Sequence, residues 1–243
     1  MHVEVVGQGP RLVLVHGSVG FGPEVWAPQR RLAERFTLVV ATRSGYPPNP
    51  PLERIDFEDQ ARELAELLKP GDHLVGHSYG GVVSLLAASL RPELLRSLTV
   101  MEPPAFGVAL DDPAVREFLG AFEPDYPRDP KGYLEFFMPL VGSAIRLPDP
   151  LPPPLEAGAR AAIAERFPNE AVIPFEALRR APFPKFVVSG AHHPAFDAVC
   201  DVLERELRAE RAVVPGAGHS IARAPGFNEV LVGFVDRAEE VSA

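Results

Sequence analysis

The sequence predicts an α/β fold: a mostly parallel, doubly wound sheet with a helical lid inserted between two of its strands. Three observations carry that prediction. Short apolar runs of strand length alternate with helical patterns over residues 1–102 and again over 185–243, as in strands joined by crossover helices. Residues 103–184 contain helix-like pieces without a convincing strand, and the proline-rich run Pro148 to Pro154 divides them. A serine flanked by glycines stands where one apolar run passes directly into a helical pattern. The expected organisation is one core made of 1–102 and 185–243, with 103–184 as an inserted lid. Such a lid would lie over the C-terminal ends of the strands, where ligands bind in parallel sheets.

The elements follow in order. Val3 to Val6, the turn Gly7-Gln8-Gly9-Pro10 and Arg11 to Val15 read as a hairpin leading into a central strand. Val25 to Phe36 reads as helical and Thr37 to Ala41 as the next strand. Asp56 to Lys69 carries Phe57, Ala61, Leu64, Ala65, Leu67 and Leu68 at helical spacing, and Pro70-Gly71 ends it. His73 to Gly76 is a short strand, and Tyr79 to Leu90 is a helix so apolar that most of its sides must be covered. Leu98 to Met101 is a further strand, closed by Glu102-Pro103-Pro104. After the insert come a strand at Lys185 to Val188, a helix at Ala195 to Arg208, a strand at Arg211 to Val214 and a last helix around Phe227 to Arg237.

Composition narrows the function. A chain of 243 residues can bury one substantial core. Its formal charge of −9, with no basic stripe, leaves nothing to neutralise phosphates, so no nucleic-acid partner is expected. No apolar run is long enough to span a bilayer, so no membrane partner is expected either. Met1-His2-Val3-Glu4 has no basic segment followed by an apolar run, which predicts no signal peptide. A single cysteine, Cys200, excludes an intramolecular disulfide, and a cytoplasmic location is the expectation. The oligomeric state stays open. The 28 prolines are more than twice the ordinary ~5% usage. Many loop prolines and few amides fit a heat-stable protein, and GC-rich codon bias fits equally; the scarcity of lysine (Lys69, Lys131 and Lys185) favours the bias.

The motif that carries chemistry is Gly76-His77-Ser78-Tyr79-Gly80, which matches G-x-S-x-G between a predicted strand and a predicted helix. A nucleophilic serine there must sit on a sharp turn, and side chains two residues to either side would collide with neighbouring backbone. The turn exposes the hydroxyl, and the N-terminus of the following helix favours negative charge developing nearby.

On these residues the chain resembles the α/β-hydrolase family over nearly its whole length outside the insert. His16-Gly17-Ser18 after an apolar strand is similar to the family's oxyanion loop, which implies that the N–H groups of Ser18 and Tyr79 form an oxyanion hole. Gly216-Ala217-Gly218-His219 is similar to the segment that carries the family's catalytic histidine, which implies His219 as the base of a Ser78–His219 pair. Ala41 to Tyr46 resembles the family's turn after the next strand, with Thr42 where aspartate is common.

The family's usual acid site departs from the pattern. Where G-x-x-D is common the chain reads Gly190-Ala191-His192-His193. Two carboxylates are candidates to orient His219. Glu102 ends a strand and is stiffened by Pro103-Pro104, and some family members carry their acid there. Asp197, the alternative, lies past the usual site, but Pro194 suggests a helix start where an acid merely complements the dipole. Glu102 is the preferred reading.

The remaining motifs have plainer readings. His77 is expected to pack under the serine turn, and His16 to shape its loop. His192 and His193 are adjacent, so their side chains diverge and no metal site is expected. Cys200 falls in a helical pattern as a core residue. Gly17, Gly20 and Gly22 have the wrong order for a dinucleotide fingerprint and no P-loop lysine is present, so no cofactor is expected. Phe118, Phe122, Phe136, Phe137 and Met138 in the insert suggest a mainly apolar acyl pocket or plain lid core. The expected function is a serine hydrolase taking a small ester, lactone or related acyl substrate. C–C cleavage and perhydrolysis on the same residues, or a receptor-like protein that binds without turnover, are the alternatives.

Overall fold

Seven strands build one sheet in the computed structural model, which describes residues 1–122, 126–143 and 146–240. They are β1 (His2–Val6), β2 (Arg11–Val15), β3 (Thr37–Thr42), β4 (Asp72–His77), β5 (Leu95–Met101), β6 (Lys185–Ser189) and β7 (Glu210–Val213). Their spatial order is β1-β3-β2-β4-β5-β6-β7, and every pairing is parallel except that of β1 with β3. The chain leaves β2 on one side for β3, then crosses back to place β4 on the other. The C-terminal ends of β2 and β4 therefore flank the point where the winding reverses, the crevice in which such sheets bind ligands.

Strand β1 does not form the hairpin with β2 that the Gly7–Pro10 turn suggested. It pairs antiparallel with β3, from His2 opposite Thr42 to Val6 opposite Leu38, and β3 lies between β1 and β2. Burial decides this. Leu12 to Val15 is wholly apolar and fully buried, so β2 takes a parallel partner on each edge. β1, largely exposed, belongs at the rim. The predicted helix over Val25 to Phe36 is a 3₁₀ helix over Ala27–Glu34.

Helices cover both faces because consecutive strand residues point opposite ways. Val13, Val15, Leu74, Val100 and Val187 face the layer of α1 (Phe57–Leu67), α2 (Tyr79–Leu90) and α7 (Pro194–Leu207). Leu12, Leu14, Val75, Phe186 and Val188 face the 3₁₀ helix and α8 (Phe227–Glu240). The nearly all-apolar α2 is buried along most of its length, as its composition requires.

Between β5 and β6 lie α3 (Pro113–Gly120), α4 (Pro130–Leu140), α5 (Pro153–Ala164) and α6 (Phe175–Arg180), and no strand among the described residues. Prolines open α3, α4, α5 and α7, where the missing N–H costs nothing, so part of the high proline count serves helix starts. The segment is tied to the core where Ile55 N–H donates to Ala164 O (2.8 Å) and Arg166 N–H to Ile55 O (2.7 Å). No helix among the described residues is long and apolar enough to cross a membrane.

Candidate active site

Ser78 follows β4 and precedes α2 with φ +52° and ψ −126°, a left-handed conformation that costs a non-glycine residue energy. The flanking glycines make the turn sterically possible. A Cβ on Gly76 would lie 2.4 Å from Ser84 Oγ, and one on Gly80 would lie 2.3 Å from the carbonyl oxygen of His16. The packing of α2 against β4 and the His16 loop thus holds the serine in its strained conformation.

His219 comes from the loop after β7. Its Nε2 lies 2.9 Å from Ser78 Oγ, and its Nδ1 lies 2.7 Å from Glu102 Oε2. Glu102, immediately after β5, has φ +42°, and its N–H donates to Val188 O on β6 (3.0 Å). Its side chain is fully buried. Burial works against the ionised form, but donors from His192, His219 and Gly190 outweigh it and hold the carboxyl pKa down at about 2. Asp197, the alternative acid, faces Arg211 Nη2 at 3.8 Å, while the two ring nitrogens of His219 are engaged by Glu102 and Ser78. His77 packs beneath the turn: its Nε2 donates to His219 O (2.7 Å), and burial pushes its pKa down to about 3.

Ser18 and Tyr79 line the same cavity as Ser78. The loop before Ser18 is held by a residue that sequence reasoning missed. Arg43, fully buried, donates to the carbonyls of His16 (Nε, 3.0 Å) and Gly17 (Nη2, 2.7 Å) and to Gln60 Oε1 (2.8 Å). Its charge is met by Glu165 at 2.5 Å, a carboxylate from the β5–β6 segment that also accepts from Tyr46 OH (2.7 Å) and Ser18 Oγ (2.5 Å). The guanidinium packs 4.6 Å over the Tyr79 ring. The available signal was an arginine directly after a buried apolar strand, in a run whose family likeness drew attention to Thr42 instead.

The cavity holds about 550 Å³ of empty space including its open mouth. Three of the five expected side chains, Phe118, Phe122 and Phe137, line it. Phe136 and Met138 do not. On α4, Tyr133 and Phe137 share the cavity-facing side at i, i+4, whereas Phe136 stacks on Tyr126 and Met138 lines a separate groove. Among the described residues no lysine or arginine lines the cavity, and Glu165 is its one carboxylate.

His192 and His193 diverge. His193 Nδ1 accepts from Ala195 N–H (3.1 Å) and caps α7, whereas His192 turns to Glu102. Among the described residues, Glu102, His192 and His219 form the one cluster with metal-ligand spacing, their polar atoms within 4.8 Å of one another. Those atoms hydrogen-bond to each other, and Glu102 accepts from both imidazoles. Cys200 is buried, and burial raises its thiol pKa, away from nucleophilic use.

A strained serine on a strand-to-helix turn, at the crevice of a doubly wound sheet and in line with an imidazole and a carboxylate, defines a class of fold and site. The family model for the alpha/beta hydrolase family matches residues 12–227, and the chain belongs to that family. It is 32% identical over 143 residues to a pimeloyl-[acyl-carrier protein] methyl ester esterase of Klebsiella pneumoniae subsp. pneumoniae, covering 56% of this chain and 54% of that one. To the protein of the same description from Xanthomonas oryzae pv. oryzae it is 34% identical over 154 residues, covering 59% and 58%. The chain therefore spans little more than half the length of the relatives it matches. An alpha/beta hydrolase from Sphaerobacter thermophilus superposes with a TM-score of 0.66 at 23% identity, over 96% of this chain and 95% of that one. Est816, described as an N-acyl homoserine lactone degrading enzyme, superposes with a TM-score of 0.70 at 20% identity, over 96% of each. These two likenesses show the fold.

Proposed function

We propose that this protein is a serine hydrolase that cleaves a small, mainly apolar ester, lactone or related acyl substrate through an acyl-enzyme. The observation that carries the reading is the unbroken line from Glu102 Oε2 to His219 to Ser78 Oγ, opening into an aromatic cavity. In this reading His219 Nε2 takes the Ser78 proton as Oγ attacks the carbonyl, then gives it to the leaving group. Glu102 fixes the Nδ1–H tautomer and stabilises the imidazolium. The N–H groups of Ser18 and Tyr79 receive the oxyanion. Water entering after the leaving group hydrolyses the acyl-enzyme by the same steps in reverse order.

Residues 103–184 act as the lid in this reading, supplying Phe118, Phe122 and Phe137 to the acyl pocket. The absence of a cationic side chain from the described lining disfavours anionic acyl groups. The names of the relatives describe the methyl ester of a pimeloyl group on an acyl-carrier protein, and the esterified end of such a substrate is uncharged. A receptor-like protein has no need of an acid on its histidine, and a carboxylate 2.7 Å from Nδ1 speaks for turnover. Stoichiometric labelling by a fluorophosphonate, lost in Ser78→Ala, together with turnover of p-nitrophenyl esters of increasing acyl length, tests the reading. Labelling that persists in Ser78→Ala would refute it, and labelling without turnover on any acyl substrate would favour the receptor.

A further inference from the structure

Glu102 carries a second imidazole. His192 Nδ1 lies 3.2 Å from both Oε1 and Oε2 of the carboxylate, while Gly190 N–H donates to Oε1 (2.7 Å) and His219 Nδ1 contacts Oε2. An ionised carboxylate only accepts, so His192 must present Nδ1–H, and in the neutral ring its Nε2 carries the lone pair. That Nε2 is buried and has no hydrogen-bond partner among the described residues. A proton there would meet no acceptor among the described residues. The ring lies 5.3 Å from Phe196 and 5.5 Å from the His219 ring. Gly142, just past α4, closes over it: a Cβ at that position would lie 3.0 Å from His192 Cδ2.

Other titratable groups surround the pair. The ring of His77 from β4 lies 4.8 Å from that of His219, tilted by 46°, and His193 lies 6.3 Å from His192. Glu117 on α3 and Asp197 on α7 act on His193, and Asp197 also pairs with Arg211. The thiol of Cys200 lies within the field of Glu102. Burial pushes both His77 and His193 toward the neutral form, so the charge that faces His219 directly is that of Glu102.

We propose that His192 is a positioning residue that pins the Glu102 carboxylate across both oxygens and draws off part of the negative charge available to His219. This rests on the proposed Ser78–His219–Glu102 reading. A donor that straddles the carboxylate fixes its plane with Oε2 on the imidazole. By sharing the charge it also makes protonation of His219 less favourable, which keeps the base free at lower pH.

Three measurements test this. First, ¹⁵N NMR of the unmodified protein should show His192 as the neutral Nδ1–H tautomer near neutral pH; the Nε2–H tautomer would overturn the proposal. Second, His192→Phe keeps ring volume and removes the donor. It should move the acid limb of kcat/KM to higher pH by about one unit, with kcat lowered and KM little changed. His192→Asn, whose amide N–H sits near the position of Nδ1, should restore the parent profile. Equal shifts in both variants, or none in His192→Phe, would leave His192 a packing residue and overturn the proposal. Third, the His219 ring is titrated by NMR in the parent and in both variants, a readout that needs no substrate. A His219 titration that moves in His192→Phe while Ser78→Ala leaves turnover intact would sink the hydrolase reading and keep this one. A His219 titration that does not move would sink this one alone.

Discussion

Arg43→Met removes the full positive charge paired with Glu165 among the described residues while keeping an unbranched apolar stem in the same volume. In the parent, the Arg43 side chain is completely buried and that of Glu165 nearly so. Removing one partner of a buried ion pair costs about 3–5 kcal/mol, because the other charge stays desolvated. Glu165 would keep two donors, Tyr46 OH and Ser18 Oγ, which places the loss toward the lower end, about 3 kcal/mol. For a chain of this size that corresponds to a fall in Tm of roughly 6–12 °C. Urea unfolding with an unchanged m-value measures it. Arg43→Met/Glu165→Gln should recover about 1–2 kcal/mol of the single-variant loss, because the residual cost comes from the stranded carboxylate. Turnover should fall as well. The Gly17 carbonyl that Arg43 holds belongs to the peptide whose N–H is that of Ser18, and in a planar trans peptide the two point opposite ways. Loosening the carbonyl loosens the donor, at a cost below the ~10²–10³ in kcat of deleting one oxyanion donor. A loss under about 1 kcal/mol, or strictly additive effects in the double variant, would refute the reasoning.

Glu102→Gln should lower kcat by up to ~10⁴ with little change in KM, the size of the effect when the orienting acid of a serine protease is amidated. Asp197→Asn should leave turnover within a few-fold, since its carboxylate faces Arg211; a larger fall than that of Glu102→Gln would reverse the assignment. Phe122→Ala and Phe137→Ala, both partly buried against the cavity, should change acyl-length preference more than stability, as a p-nitrophenyl ester series and thermal melts would show. Acid should destabilise the fold in two windows. His77 is neutral in the fold down to about pH 3 but takes a proton when unfolded below about 6.5, so stability rises with pH between those values by up to ~1.4 kcal/mol per unit. Glu102, depressed to about 2, contributes stability that is complete above about pH 4.5 and lost as pH falls through 2. Stability flat from pH 3 to 6.5 would contradict the burial argument for His77.

Much of the molecule was legible in the residues because local chemistry over-determined it. The run Leu12 to Val15 is apolar without alternation, which only a strand covered on both faces tolerates. Gly76 and Gly80 are glycines because any Cβ would strike Ser84 Oγ or the His16 carbonyl, so a serine between them announces a strained turn from sequence spacing alone. Other features are settled by contacts between segments far apart in the chain. Nothing in Gly7–Pro10 says that β3 will insert between β1 and β2; that follows from how many edges the buried β2 must satisfy. Local sequence left Glu102 and Asp197 as competing acids, and the side-chain placement depends on β5 lying beside β6 and on which way the first turn of α7 faces. Arg43 and Glu165 are 122 residues apart, and His192 and Glu102 are 90 apart. A buried charge or a shared carboxylate takes its meaning from a partner across the fold, and no periodicity in the chain encodes which partner that is.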